Sequence, residues 1–198
     1  MKSNVCKIEN GIKDLDAILK ECEKVAVYNE LTHKQALKLR LLCEELDGML
    51  PSIIGNFDGA LWIEFEEGVC KVNASIEIEA FNAEERRELI RVAKNKKNAA
   101  AVGVVGKIRS ALEDFFLDER TVLAANTAGE QLPFTMGYSE CVNYSYLWSL
   151  EQFRKTYAEE PKEEWDALEK SVIAAVADDV IVGIKGKRAD IVIVKKFA

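Results

Sequence analysis

The closing stretch of the chain, residues 178–197 (DDVIVGIKGKRADIVIVKKF), constrains the fold more than any other. Two apolar, β-branched runs flank Lys185, Gly186, Lys187 and Arg188, which is a hairpin signal. Both runs are apolar at alternate and intervening positions, so neither side can be left to water, and the pattern predicts two central strands. A second hairpin follows a different rule. Leu61, Ile63 and Phe65 alternate with Trp62, Glu64 and Glu66; Glu67 and Gly68 make the turn; Val72, Ala74, Ile76 and Ile78 alternate with Asn73, Ser75, Glu77 and Glu79. Strict alternation of this kind predicts an antiparallel pair with one buried face.

Helical periodicity fills most of the rest. Leu15, Ile18, Leu19, Cys22, Val25 and Ala26 recur at helical spacing over residues 14–28. Thr32 and Gln35 form a capping box that opens a second helix, with the stripe Leu39, Leu42, Cys43, Leu46, Met49, Leu50 and Ile53. Pro51 should kink or end it, and Gly55, Asn56, Asp58 and Gly59 read as a loop. Asn82 with Glu85 opens a helix to about Ala93, and Ile108, Ala111, Leu112, Phe115 and Phe116 mark another. Residues 118–147 carry Gly129, Pro133 and Gly137 among aromatics and read as loop with short strands; residues 147–157 read as a helix. Pro161 opens a further helix bearing Trp165, Leu168, Val172, Ile173 and Val176. No internal repeat is legible. Strand pairs separated by helical blocks predict an α+β fold, a two-layer α/β sandwich whose mixed or antiparallel sheet is built from two hairpins with helices on one face. At 198 residues, one domain is expected over 1–198.

Several function classes are disfavoured by composition. A formal charge of −7 opposes binding to nucleic acid. No run approaches the roughly 18 apolar residues of a membrane span, and residues 1–16 contain no signal-like apolar core, so a bacterial-type cytoplasmic location is expected. Cys6, Cys22, Cys43, Cys70 and Cys141 are odd in number and never spaced as CxxC. Cys22 and Cys43 sit in apolar stripes, which predicts buried thiols rather than a disulfide framework. His33 is the sole histidine, excluding any site that needs two imidazoles, and its place after Thr32 reads as an exposed first-turn residue. No nucleophile–base pair for a hydrolase or transferase is legible. Asp178 and Asp179 read as a cap or loop feature rather than metal ligands.

Residues 94–108, KNKKNAAAVGVVGKI, are the strongest candidate for a site. Lysines 94, 96, 97 and 107 surround Asn95, Asn98, Ala99, Ala100, Ala101, Gly103 and Gly106. Small residues at a helix start either let two elements pack closely or let backbone amides reach a phosphate. Both readings stand at this level.

The order of these segments resembles the histidine-kinase/gyrase-type (GHKL) ATP-binding fold. The resemblance lies in a helix bearing LRLLCEELDGML, a hairpin, a glycine-containing loop and helix, and a terminal hairpin. It covers about residues 34–116 and 162–197 and leaves about 117–161 as an insertion. In that family a helical carboxylate orients water and an asparagine one turn later holds magnesium. The resemblance makes Glu44 and Glu45 the carboxylate candidates, but Gly48 and Met49 stand where the asparagine would be. The adenine-reading Asp-x-Gly-x-Gly would fall near residues 76–83, where the chain has IEIEAFNA. The phosphate-holding glycine box resembles residues 101–107, so Lys97, Asn98, Gly103, Gly106 and Lys107 are the phosphate candidates.

The resemblance implies a cytoplasmic nucleotide-binding-like domain, at most a weak ATPase, taking ATP or ADP without holding magnesium in the family manner. No dedicated metal site is expected. The alternative is a non-catalytic regulatory or interaction module that keeps the fold and has lost the nucleotide. Its partner would be another protein or a second copy of the chain, met through the aromatic insertion and the lysine-rich loop.

Overall fold

The computed structural model describes residues 1–9, 15–53, 57–78, 146–157, 172–185 and 188–197. The elements, in chain order, are β1 (Cys6–Glu9), α1 (Leu15–Tyr28), α2 (His33–Ile53), β2 (Phe57–Glu66), β3 (Val69–Ile78), β4 (Tyr146–Ser149), α3 (Leu150–Tyr157), α4 (Val172–Val176), β5 (Asp179–Lys185) and β6 (Arg188–Lys196). The strands make one six-stranded sheet in the order β1-β2-β3-β6-β5-β4, and every neighbouring pair is antiparallel. This is an α+β sandwich, and the two hairpins join at its centre through β3 and β6.

The closing hairpin is central, as its double-sided apolar pattern requires. β6 lies between β3 and β5, and Ile181, Val182, Ile184, Ile191 and Ile193 are all buried. The register puts Ile63, Val72, Ile193 and Val180 in one row across four strands, with Leu61, Ala74, Ile191 and Val182 in the next. Against this face pack the stripes of α1 (Ile18, Cys22, Val25) and α2 (Leu39, Leu42, Cys43, Leu46, Leu50), forming one continuous core. Each fully buried leucine contributes about 1.5–3 kcal/mol of transfer free energy, so the α2 stripe is a major anchor of the helical layer.

The sheet order reads the same from either edge. The described elements before residue 79 run β-α-α-β-β, and those after residue 145 run β-α-α-β-β again. In the sheet order β1, β2 and β3 are matched by β4, β5 and β6 counted from the opposite edge, so the described halves share an order of elements. Their burial patterns differ, β2 alternating where β5 is buried throughout before Lys185, and no repeat is legible in the sequence.

Two expectations change. Asp58 and Gly59, read as loop, belong to β2, because β1 supplies a partner there, pairing Glu9 with Asp58 and Ile8 with Gly59. A Cβ at Gly59 would lie 2.7 Å from the Ser75 carbonyl oxygen and 3.3 Å from Ile8, so the glycine permits strand approach instead of a turn. Residues 147–149, read as the start of a helix, are strand, since β4 pairs with β5 and Trp148 faces Val182. α2 ends at Ile53, two residues past Pro51, as a stripe through Ile53 with a proline near its end implies. The capping box holds: Gln35 Oε1 accepts the Thr32 N–H at 2.9 Å, and Thr32 Oγ1 accepts the Gln35 N–H at 3.4 Å. His33, the first residue of α2, is exposed.

Candidate functional site

The α2 stripe decides where the family-type carboxylates can point. With Leu42, Cys43 and Leu46 turned into the core, Glu44 and Glu45 are left on the flank of the helix, both partly exposed. Glu44 Oε1 accepts Arg40 Nε–H at 2.9 Å, one turn back along α2. One turn forward stands Gly48, and a Cβ built there would meet no atom within 4 Å. Of the two positions one turn on from Glu44 and Glu45, Gly48 is therefore open and Met49 is buried in the core. Lys97, Asn98, Gly103, Gly106 and Lys107 lie outside the described residues, as do Asn82, residues 117–145 and Pro161.

A concave site is present on the opposite face of the sheet. Side chains alternate, so the partners of the core rows point outward: Trp62, Asn73, Val192 and Ile181 form one row, and Glu64, Lys71, Val194 and Asp179 another. A cavity of about 800 Å³ lies over these rows. Its floor is apolar at Ile181, Val192 and Val194, and its margin carries Lys71, Lys185, Lys196 and Arg188 beside Glu64 and Asp190. Asn73 is buried there and donates its Nδ2–H to the Lys71 carbonyl at 3.1 Å.

The charges around this cavity are partly committed. Burial pushes the Glu64 carboxyl up, but the Lys2 ammonium at 3.0 Å, the Trp62 indole N–H at 2.9 Å and nearby Lys71 outweigh it, holding the group below its ordinary range. Lys2 also lies over the Trp62 ring, 4.8 Å from its centroid. Arg188 Nε–H bonds Asp190 at 2.9 Å.

Ser149 and Asp179 at the cavity end resemble a nucleophile and its carboxylate, yet their bonds assign them to capping. Ser149 Oγ donates to Asp179 (3.1 Å to each oxygen) and accepts the Gln152 N–H at 3.2 Å. Asp179 Oδ1 also accepts the N–H groups of Glu151 and Val180, both at 2.8 Å. Together they satisfy the first turn of α3, and no imidazole is at hand to activate the hydroxyl. Burial raises the Asp179 carboxyl above its ordinary value despite these donors. Asp178 accepts the Lys196 N–H at 2.6 Å and pairs with Lys195 at 3.1 Å, both on β6. Of the adjacent carboxylates read as a loop or cap feature, Asp179 caps α3 and Asp178 ties β6.

The structure thus separates two surfaces. The flank of α2 carries Glu44 and Glu45; the outer sheet face carries the cavity. On β2 and β3 the outer residues Trp62, Glu64 and Asn73 were legible as the alternate positions of the first hairpin; on β5 and β6 the outer Ile181, Val192 and Val194 belong to runs apolar on both faces. Their meeting across β2, β3, β6 and β5 depends on long-range register, which the sequence does not display. Among the described residues, no helix is long and apolar enough to cross a membrane. No protein-family model matches this chain, and neither the curated proteins nor the solved structures contain a match.

Proposed function

We propose that this chain is a cytoplasmic nucleotide-binding-like domain of the GHKL type, weak or inactive as an ATPase. One observation carries the reading: element order in space. α2, with Glu44 and Glu45, leads directly into the β2–β3 hairpin, and the closing β5–β6 hairpin docks against it through β3 and β6. That is the order the sequence resemblance requires of its helix, first hairpin and terminal hairpin. ATP or ADP would lie between α2 and residues 94–107, with Gly103, Gly106 and backbone amides near them facing phosphate, and Lys97, Asn98 and Lys107 supplying further contacts.

Thermal unfolding with ATP and ADP tests this. A ligand at 100 times its Kd stabilises by about 2.7 kcal/mol, so millimolar nucleotide should raise Tm measurably, and Gly103→Val or Lys107→Ala should shrink the rise. No shift with either nucleotide overturns the reading.

A second reading is favoured by the α2 flank itself. Arg40 occupies Glu44, and Gly48 offers no side chain for a metal. Phosphoryl transfer needs a carboxylate and a metal placed together. Those two facts support a regulatory or interaction module that keeps the architecture without the chemistry. Light scattering across a concentration series tests self-association; a concentration-independent monomer removes the homo-oligomer version.

A further inference from the structure

The α1–α2 hairpin contains a pair of thiols that the nucleotide reading does not use. Cys22 lies on the inward stripe of α1 beside Ile18 and Val25, and Cys43 lies on that of α2 between Leu42 and Leu46. Their sulfurs are 2.9 Å apart, the Cys22 thiol donating towards Cys43, and neither is disulfide-bonded. A disulfide spans about 2.05 Å, so the two sulfurs need roughly 0.9 Å of further approach to close the bond. A third thiol, Cys70 on β3, is buried in the same core.

We propose that Cys22 and Cys43 form an oxidation site, closing a reversible disulfide between α1 and α2 in response to hydrogen peroxide. The oxidant class follows from access. Cys22 is 3% exposed and Cys43 not at all, so a bulky disulfide reagent is shut out and a small neutral oxidant is admitted when α1 loosens locally. In the first step one thiol sulfur attacks peroxide; the O–O bond breaks, an S–O bond forms, and the departing hydroxide leaves as water with the thiol proton. In the second, the other sulfur displaces the hydroxyl from the sulfenic acid; the S–S bond forms and a second water leaves. Two electrons pass from the thiol pair to one peroxide. The hydrogen bond from Cys22, with burial behind it, pushes the Cys43 thiol well up, and burial pushes that of Cys70 up to about 12, so thiolate is scarce at these two positions.

Closure has a consequence for α2. Cys43 immediately precedes Glu44, so the bond ties the helix that carries the candidate carboxylates to α1 and fixes the hairpin against separation. The inference stands whether or not nucleotide binds.

The test treats the reduced full chain with hydrogen peroxide, blocks remaining thiols with iodoacetamide under denaturing conditions, and maps tryptic peptides by mass spectrometry. The expected product is a Cys22–Cys43 linked peptide, reversed by dithiothreitol, formed at a rate unchanged by diluting the protein, with a Tm several degrees above the reduced form. Cys70→Ser should keep the link and Cys43→Ser abolish it. Recovery of both Cys22 and Cys43 as alkylated thiols after Cys6 has been oxidised overturns the proposal, as does a link from either to another cysteine. If Cys43→Ser does not fold, the wild-type map decides the matter by itself.

Discussion

Asp179 Oδ1 accepts the Glu151 backbone N–H at 2.8 Å, tying the first turn of α3 to the start of β5 across 28 residues of sequence. The same oxygen accepts the Val180 N–H, and the Ser149 hydroxyl bonds both carboxylate oxygens. One buried side chain therefore satisfies donors from a helix terminus, a strand start and a hydroxyl. Asp179→Ala leaves those N–H groups without a partner and should cost about 2–3 kcal/mol, whereas Asp179→Asn keeps an acceptor oxygen and should cost under about 1 kcal/mol. Urea unfolding at neutral pH separates the two.

The same residue sets a pH dependence. Its folded-state pKa is raised, so the native state binds its proton more readily than the unfolded chain. The ionisation penalty is complete above the folded pKa and disappears as pH falls below the ordinary 3.8. Asp179→Asn should therefore flatten the fall in stability as pH rises through that window, read as unfolding free energy against pH. An unchanged slope would mean that the carboxyl is not the titrating group.

Glu21 carries the opposite sign. Its carboxyl accepts Lys24 Nζ–H at 2.5 Å and both the N–H and the Nδ2–H of Asn4, at 3.0 and 3.1 Å, joining α1 to the segment preceding β1. The Lys24 bond lowers its pKa first; burial opposes this, and the Asn4 donors reinforce it. The stabilisation is present above the ordinary 4.5 and is lost as pH falls through the lower folded value. Glu21→Gln should be less stable than wild type at pH 7, and the gap should close in acid. A gap that persists at low pH would assign the loss to packing instead.

How much of this was legible in the sequence depended on the range of the forces involved. The Thr32 and Gln35 capping box, the α1 and α2 stripes and the turn at Glu67 and Gly68 are local, and local chemistry determines them. The central position of β5 and β6 was legible because burial on both faces leaves a double-sided apolar run. β1, only four residues long, carries no such pattern and exists because β2 offers an edge. Tyr146, Leu147 and Trp148 suit a helix or a strand alike, and pairing with β5 decides for strand. Trp62 meets Asn73 through the local turn at Glu67 and Gly68, but the outer cavity was not legible, because Asn73 meets Val192 only through the pairing of β3 with β6, more than a hundred residues on. Of the candidate site, Glu44 and Glu45 fall where a helix stripe must leave them, while the phosphate candidates lie outside the described residues.

Two glycines give a paired prediction with opposite signs. Gly48 sits on an exposed stretch of α2 with open space where a Cβ would be, so Gly48→Ala adds helix propensity without a clash and should stabilise by about 0.5–1 kcal/mol. Gly59 sits in β2 opposite Ile76 of β3, and a Cβ there would press to 2.7 Å from the Ser75 carbonyl oxygen, a backbone atom that cannot swing away. Gly59→Ala must move a strand that pairs on both sides and should cost about 1–3 kcal/mol. Chemical denaturation of the two variants beside wild type reads the difference directly. If Gly59→Ala were neutral, β1 and β3 could not both approach β2 as closely as their registers require; if Gly48→Ala were destabilising, the open flank of α2 would have to be covered. That second outcome bears on the nucleotide proposal, which takes Glu44, one turn before Gly48, as a candidate carboxylate.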